Sequence, residues 1–344
     1  MTDANRFGGS DKYYSSSLKQ REQEKETLFG VTDAQIRKLL EQHDSELQQK
    51  VERTFKQWNL IIRDYLRSDT ALRLTVGDEL QAVPVRVLAG LPGPIRSLLQ
   101  GIPTELLNLY LRRDLFLTTH QGVRLTADGS VPLAAVLKIT PKATGSEIEN
   151  TRLFLEQIIE ALNKFELEKR IGQINQDILG AYFFRIPHIE LYWMVIGLVA
   201  RIIGVSAEAL TVVVTAHELA HAYTHLGKDI DRQHWDTEKF GQADLHIVEG
   251  LAQFYTGVVC EKLAPRFPDA LRAYEAMLKI QPPPYTIHQK WVDQPEDAGE
   301  VIRAAMIQCR SKGITEYADF EALVDRHLDA IKGKKRKPPA PAKQ

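Results

Sequence analysis

"TAHELAHAYTHLG", Thr215 to Gly227, sets three histidines and a glutamate within nine residues of an otherwise apolar stretch. His217 and His221 stand four positions apart, so on a helix both imidazoles leave the same face, one turn from each other. Two neutral ring nitrogens placed this way can reach one zinc ion at about 2.0–2.1 Å. Glu218 follows the first histidine and leans to the side of the pair, where a carboxylate can hold a water and take its proton. The pattern is H-E-x-x-H, in which the glutamate is the general base of metal-assisted hydrolysis.

The motif needs a helix, and the flanking residues supply one. Ser206 is a good N-cap, Glu208 falls in the first turn and Gly227 suits the end. Burying two histidines and a carboxylate on an apolar helix is costly unless something satisfies them, and a metal ion does so directly. His225 continues the four-residue series but has drifted round the helix, so it reads as a bystander. A hydrolytic zinc also wants a third protein ligand and an open position. A histidine ligand in the pattern H-x-x-G-x-x-H is ruled out, because Thr224 and Gly227 stand where its glycine and final histidine should be. An upstream cysteine is ruled out too, since Cys260 and Cys309 both lie downstream. A glutamate on the following helix remains, and "HIVEGLAQFYT" (His246 to Thr256) offers Glu249, with Asp244 as a helix cap.

With "HELAH" followed by "EGLA" (Glu249, Gly250, Ala252), the chain resembles the gluzincin metallopeptidases over roughly Leu179 to Lys262. The loop between the two motifs is somewhat longer than in the best-known members. The resemblance implies a zinc metallopeptidase acting on peptide or protein substrates. His217, His221 and Glu249 would hold one Zn2+ per chain, and Glu218 would be the base. It further implies an aromatic edge strand ahead of the motif helix, for which "GAYFF" is placed, so that Gly180 and Tyr182 would line the cleft. A tyrosine or histidine that steadies the oxyanion is also implied. The proline-led "PPPYTIHQKW" (Pro282 to Trp291) offers Tyr285 and His288, while Tyr223 and Tyr255 read as packing residues.

Around this site the fold reads as α+β and predominantly helical: a zincin-like domain over residues 146–332 behind a helical N-terminal region, 31–145. Residues 1–30 are polar and read as a flexible N-terminus; 333–344, "GKKRKPPAPAKQ", read as a disordered basic tail. One long helix is expected from a Thr32 cap to about Tyr65, on apolar residues every three or four positions. Short helices follow between Pro92 and Arg113. "VRLTADGSVPLAAVLKI" (Val123 to Ile139) suggests a short strand, an Asp128-Gly129 turn and a Pro132-led element, and "PKATGSE" (Pro141 to Glu147) reads as a linker. "GAYFFRIP" (Gly180 to Pro187) reads as a strand, followed by two apolar helices.

Net charge is −1, which gives no pull toward nucleic acid or acidic membranes. Two cysteines argue against a disulfide framework. The first twenty residues carry no apolar signal-like run, and the apolar stretch Leu191 to Ala216 is broken by Arg201, Gly204 and Glu208. The expectation is a cytoplasmic protein with no membrane span, its oligomeric state open. Two rival readings are a membrane-associated H-E-x-x-H protease and a non-enzymatic zinc-binding scaffold. His246 is an alternative ligand on the Glu249 face. Asp229, Asp231, His234 and Asp236 crowd the loop between the motifs, where one of them would orient a ligating imidazole.

Overall fold

A computed structural model describes residues 32–74, 79–99, 102–127, 144–174, 178–291 and 295–336. Thr32 caps the first described helix, α1 (Asp33–His43). Its hydroxyl accepts the Gln35 amide, and Gln35 returns a contact to the Thr32 backbone. The long helix expected here is in fact two. Asp44 is extended and its carboxylate accepts the Glu46 amide and the Lys50 ammonium, so the chain breaks and restarts as α2 (Leu47–Thr70).

After α2 come α3 (Glu79–Ala82), β1 (Val85–Leu88), α4 (Gly93–Leu99), α5 (Thr104–Leu111) and α6 (Arg113–Ala127). The strand expected at Val123 is helical. Val123 is buried in α6, which packs along α7 (Gly145–Phe165) and pairs with no strand among the described residues. The Asp128-Gly129 turn and the Pro132-led element lie outside the described residues. So does the first part of the expected linker; its end is already helix, because Thr144 and Glu147 form a reciprocal cap on α7.

Beyond α8 (Leu167–Gly172) the aromatic stretch is a strand only over β2 (Gly180–Phe183). A turn follows, and then β3 (His188–Tyr192), which takes the first residues expected of a helix. The sheet order is β1-β3-β2, with β1 parallel and β2 antiparallel to β3. In register, Gly180 opposes Leu191 and Tyr182 opposes Ile189, so these four share one face. β2 is the edge strand on the side of the site.

Two apolar helices then turn against each other, α9 (Trp193–Ile203) and α10 (Ala207–Leu226), with Gly204 in the left-handed region at φ 72°. Ser206 Oγ caps α10 by accepting the Ala209 amide at 3.1 Å. Every residue from Ala209 to His225 is buried, and so α10 has no polar face. α2 lies on one side of it. On the other sides it meets β2, α12 (Leu245–Leu263) and α13 (Pro268–Leu278). Among the described residues no single helix is long and apolar enough to cross a membrane. α9 and α10 pass such a test only together, bent by 118° at their break, and both are buried.

Between α10 and α12 sits α11 (Thr237–Gln242). After α13 come α14 (Pro283–Thr286), a 3-10 turn (Ile287–Lys290), α15 (Pro295–Lys312) and α16 (Tyr317–Arg336). α16 runs into the stretch expected to be a tail; residues 337–344 and 1–31 lie outside the described ones. A single hydrophobic core extends from Ile36 in α1 to Val324 in α16. Elements on the two sides of the boundary read at 145/146 pack together: β1 completes the sheet and α2 flanks the motif helix.

Candidate metal centre

α10 carries His217 and His221 on one face, as their spacing dictates, and α12 brings Glu249 opposite them. Asp244 caps α12 by accepting the His246 amide, and this fixes where the helix begins and hence the height of Glu249. Three donor atoms converge. His217 Nε2 is 3.1 Å from His221 Nε2, and Glu249 Oε2 is 3.2 and 3.4 Å from the two nitrogens. All three residues are buried.

The donor set fits a metal ion. Ligands at about 2.0–2.1 Å round a tetrahedral centre stand about 3.3–3.4 Å apart, close to the triangle found. A proton can bridge only one of the three contacts at a time, whereas one cation satisfies all of them. Burial raises the Glu249 carboxyl, but the charge and hydrogen bonds of His221 and His217 together outweigh it and hold the group well below its usual range. A carboxylate kept ionised in the interior beside two imidazoles is a ligand set for a divalent cation. The residues do not by themselves select among such metals.

Glu218, next along α10, borders a cavity of about 630 Å3, open mouth included, whose wall also holds His217, Gly180, Tyr285 and Gln253. Gly180 is there for space. A Cβ on it would come within 2.9 Å of Glu218 Cγ and Oε1 and of Val214 Cγ1, so any larger residue on the edge strand would displace the carboxylate. Gly250 does the same for the other wall. A Cβ there would lie 2.5 Å from Trp291 Cη2 and 2.8 Å from Ile287 Cγ2, and its absence lets the segment after α14 settle onto α12. That packing holds the Tyr285 ring 5.8 Å from the His217 ring, tilted by 25°.

The structure thus separates the paired alternatives from the proline-led loop. Tyr285 borders the cavity and His288 does not. The His288 Nε2 lies 2.9 Å from Tyr274 Oη, which in turn donates to the Gln253 carbonyl. Burial, against a raising contact from the Tyr285 backbone, pushes the His288 imidazole down to about 4. It is a neutral packing group, not a cavity residue.

Tyr182 also needs correction. Gly180 lines the cavity as expected, but the Tyr182 ring turns behind the ligands, 6.5 Å from His221 and nearly parallel to it at 7°. Its hydroxyl lies 2.9 Å from His225 Nδ1, and His225 Nε2 lies 3.2 Å from Thr237 Oγ1. On a strand, Gly180 and Tyr182 point to one face but stand about 6.6 Å apart, enough to place one at Glu218 and the other beyond His221. His225 is no ligand, as expected, yet it is wholly buried. It ties α10 to β2 and α11, and burial, with His234 and Arg310 adding to it, holds its imidazole down at about 3.

The acidic loop holds itself rather than the ligands. Asp229 Oδ1 accepts the Asp231 and Gln233 amides and Asp236 caps α11, while Arg310 donates to the Gly227 and Gln233 carbonyls. His246 pairs with Asp244 at 2.8 Å, away from the triangle. Tyr223 donates to the Arg63 carbonyl and Tyr255 to Met306 Sδ, so both are packing residues. Gln253 was missed. Its signal was the i, i+4 spacing from Glu249, which puts it on the same helix face. Compared with protein-family models, with curated proteins and with solved structures, this chain matches none.

Proposed function

We propose that this chain is a zinc-dependent metallopeptidase of gluzincin type, with a zincin-like arrangement of motif helix, glutamate helix and edge strand. The observation that carries the reading is the triangle of His217, His221 and Glu249 with Glu218 and Tyr285 on the same cavity. Zinc fits the imidazole and carboxylate donors and, when bound, supplies Lewis-acid polarisation of a carbonyl and acidifies water. His217, His221 and Glu249 would hold it. The Glu218 carboxylate accepts the proton of the attacking water and later passes it to the leaving amine. The Tyr285 hydroxyl donates a hydrogen bond to the oxygen on which negative charge develops. Gly180 leaves room for Glu218, and β2, which ends the strand order and meets the cavity at Gly180, is the edge that an extended peptide would follow.

The test is cleavage of a mixed peptide library by the wild type and by Glu218→Gln, with zinc content measured in both. Cleavage by the wild type alone, with zinc in both, supports the reading. A second reading, a zinc-binding scaffold without turnover, draws on the closure of the site, whose His217, Glu218, His221 and Glu249 are no more than 7% exposed. Zinc in both proteins with cleavage by neither would favour it.

A further inference from the structure

Gln253 stands one turn beyond Glu249 on α12 and is 3% exposed, yet among the described residues its Oε1 accepts no hydrogen bond. Its Nε2 donates to Gln281 Oε1 at 3.1 Å, and both residues border the cavity that holds Glu218. A buried carbonyl oxygen without a donor is costly and calls for a partner. The rest of the wall is mostly aliphatic, with Ile171, Ile174, Val199, Val213, Met277 and Ile280. The cavity therefore combines an apolar body with the Gln253 oxygen, an acceptor that no described donor meets.

We propose that this cavity receives an aromatic side chain ending in a neutral hydrogen-bond donor, tyrosine by its length, and that Gln253 selects it. The inference rests on the peptidase reading for the source of that side chain, a residue beside the bond to be cut. Four residues of helix put Gln253 about 6 Å along the axis from Glu249, a span that a phenol covers from its backbone and a serine or threonine hydroxyl does not. A lysine would bury an ammonium against a neutral amide and aliphatic walls, and the carboxylate that lines the cavity, Glu218, is the group the peptidase reading uses as base. A glutamine also carries a neutral donor, but its amide ends short of a phenol's reach and leaves more of the aliphatic body unfilled. Phenylalanine fills the body and leaves the Gln253 oxygen as it was, now sealed from water.

The experiment titrates the full chain, metal-free and zinc-loaded, with N-acetyltyrosinamide and N-acetylphenylalaninamide up to millimolar concentrations by calorimetry. The tyrosine amide binds about tenfold more tightly, the size of one buried hydrogen bond. Gln253→Leu abolishes the preference, and Gln253→Glu, which keeps an acceptor in place, retains it. Equal affinities, tighter phenylalanine binding, no binding of either, or a preference that survives Gln253→Leu overturns the inference. Binding needs no hydrolysis, so the two readings fail separately. A tyrosine preference without peptide cleavage refutes only the peptidase, and cleavage without the preference refutes only the selection by Gln253.

Discussion

Gly180→Ala tests whether the edge strand sets the position of Glu218, without touching a charge or a ligand. The added Cβ would meet Glu218 Cγ, Glu218 Oε1 and Val214 Cγ1, each at 2.9 Å. Ordinary contact begins near 3.4 Å, so about half an ångström must be found. β2 is held by β3 on its other edge, and α10 is buried along nearly its whole length, so neither backbone has room to retreat. The Glu218 side chain is the part that gives. Overpacking of this kind costs about 1–3 kcal/mol of stability. Displacing a general base by a few tenths of an ångström forfeits part of the roughly 10²–10⁴-fold that such a group contributes, and we expect kcat to fall about 10- to 100-fold. Zinc content should stay at the wild-type value, because none of the three ligands is touched. The assay is peptide turnover beside elemental analysis and thermal melting. Full turnover at wild-type stability would refute the packing of Glu218 on β2, and loss of zinc would show that the strand acts through the ligands.

Other perturbations separate the remaining roles. Tyr285→Phe should lower kcat about 100-fold at nearly constant KM, the size of one lost oxyanion donor, whereas His288→Ala should leave KM and kcat within a few-fold of wild type and lower the melting temperature. Steady-state kinetics on both variants decides between them, and a larger kcat loss for His288→Ala would reverse the assignment. Gly250→Ala must push Trp291 and Ile287 off α12 and should destabilise by about 1–3 kcal/mol while shifting Tyr285, read as lost stability in denaturant melts together with lost kcat. His225, held down at about 3 by burial, is neutral when folded, while the unfolded chain takes up its proton near pH 6.5. The stability it allows is therefore complete above about pH 6.5 and falls as the pH drops toward 3. Replacing it with glutamine should flatten the acid limb of urea midpoints measured across that range, and an unchanged limb would contradict the burial argument.

The ligand helix was legible because its evidence is local. Spacing put His217 and His221 on one face, Ser206 and Asp244 announced the two helix starts, and Glu249 followed from the need for a third ligand. The helix break at Asp44 was hidden because the apolar stripe continues across it, and only the carboxylate's own hydrogen bonds interrupt the helix. β1 and β3 escaped notice for a different reason. Both are short, and β1 has as its partner a strand about a hundred residues away, Val85 opposite Ile189. Tyr182 was misplaced because a period of two gives the face but not which neighbour waits beyond each side chain. In the described part of the N-terminal half, α2 packs along α10 and β1 joins the sheet, contacts that no short stretch of sequence displays.

Metal stoichiometry of the purified wild type beside Glu249→Ala reaches the centre of the account most directly. One zinc per chain is expected in the wild type. In the variant, affinity should fall by more than the roughly 10–100-fold that loss of an outer-sphere partner causes, so that dialysed protein comes out empty. Unchanged stoichiometry in Glu249→Ala, or no zinc in the wild type after growth with the metal, would contradict the assignment of His217, His221 and Glu249 as one site.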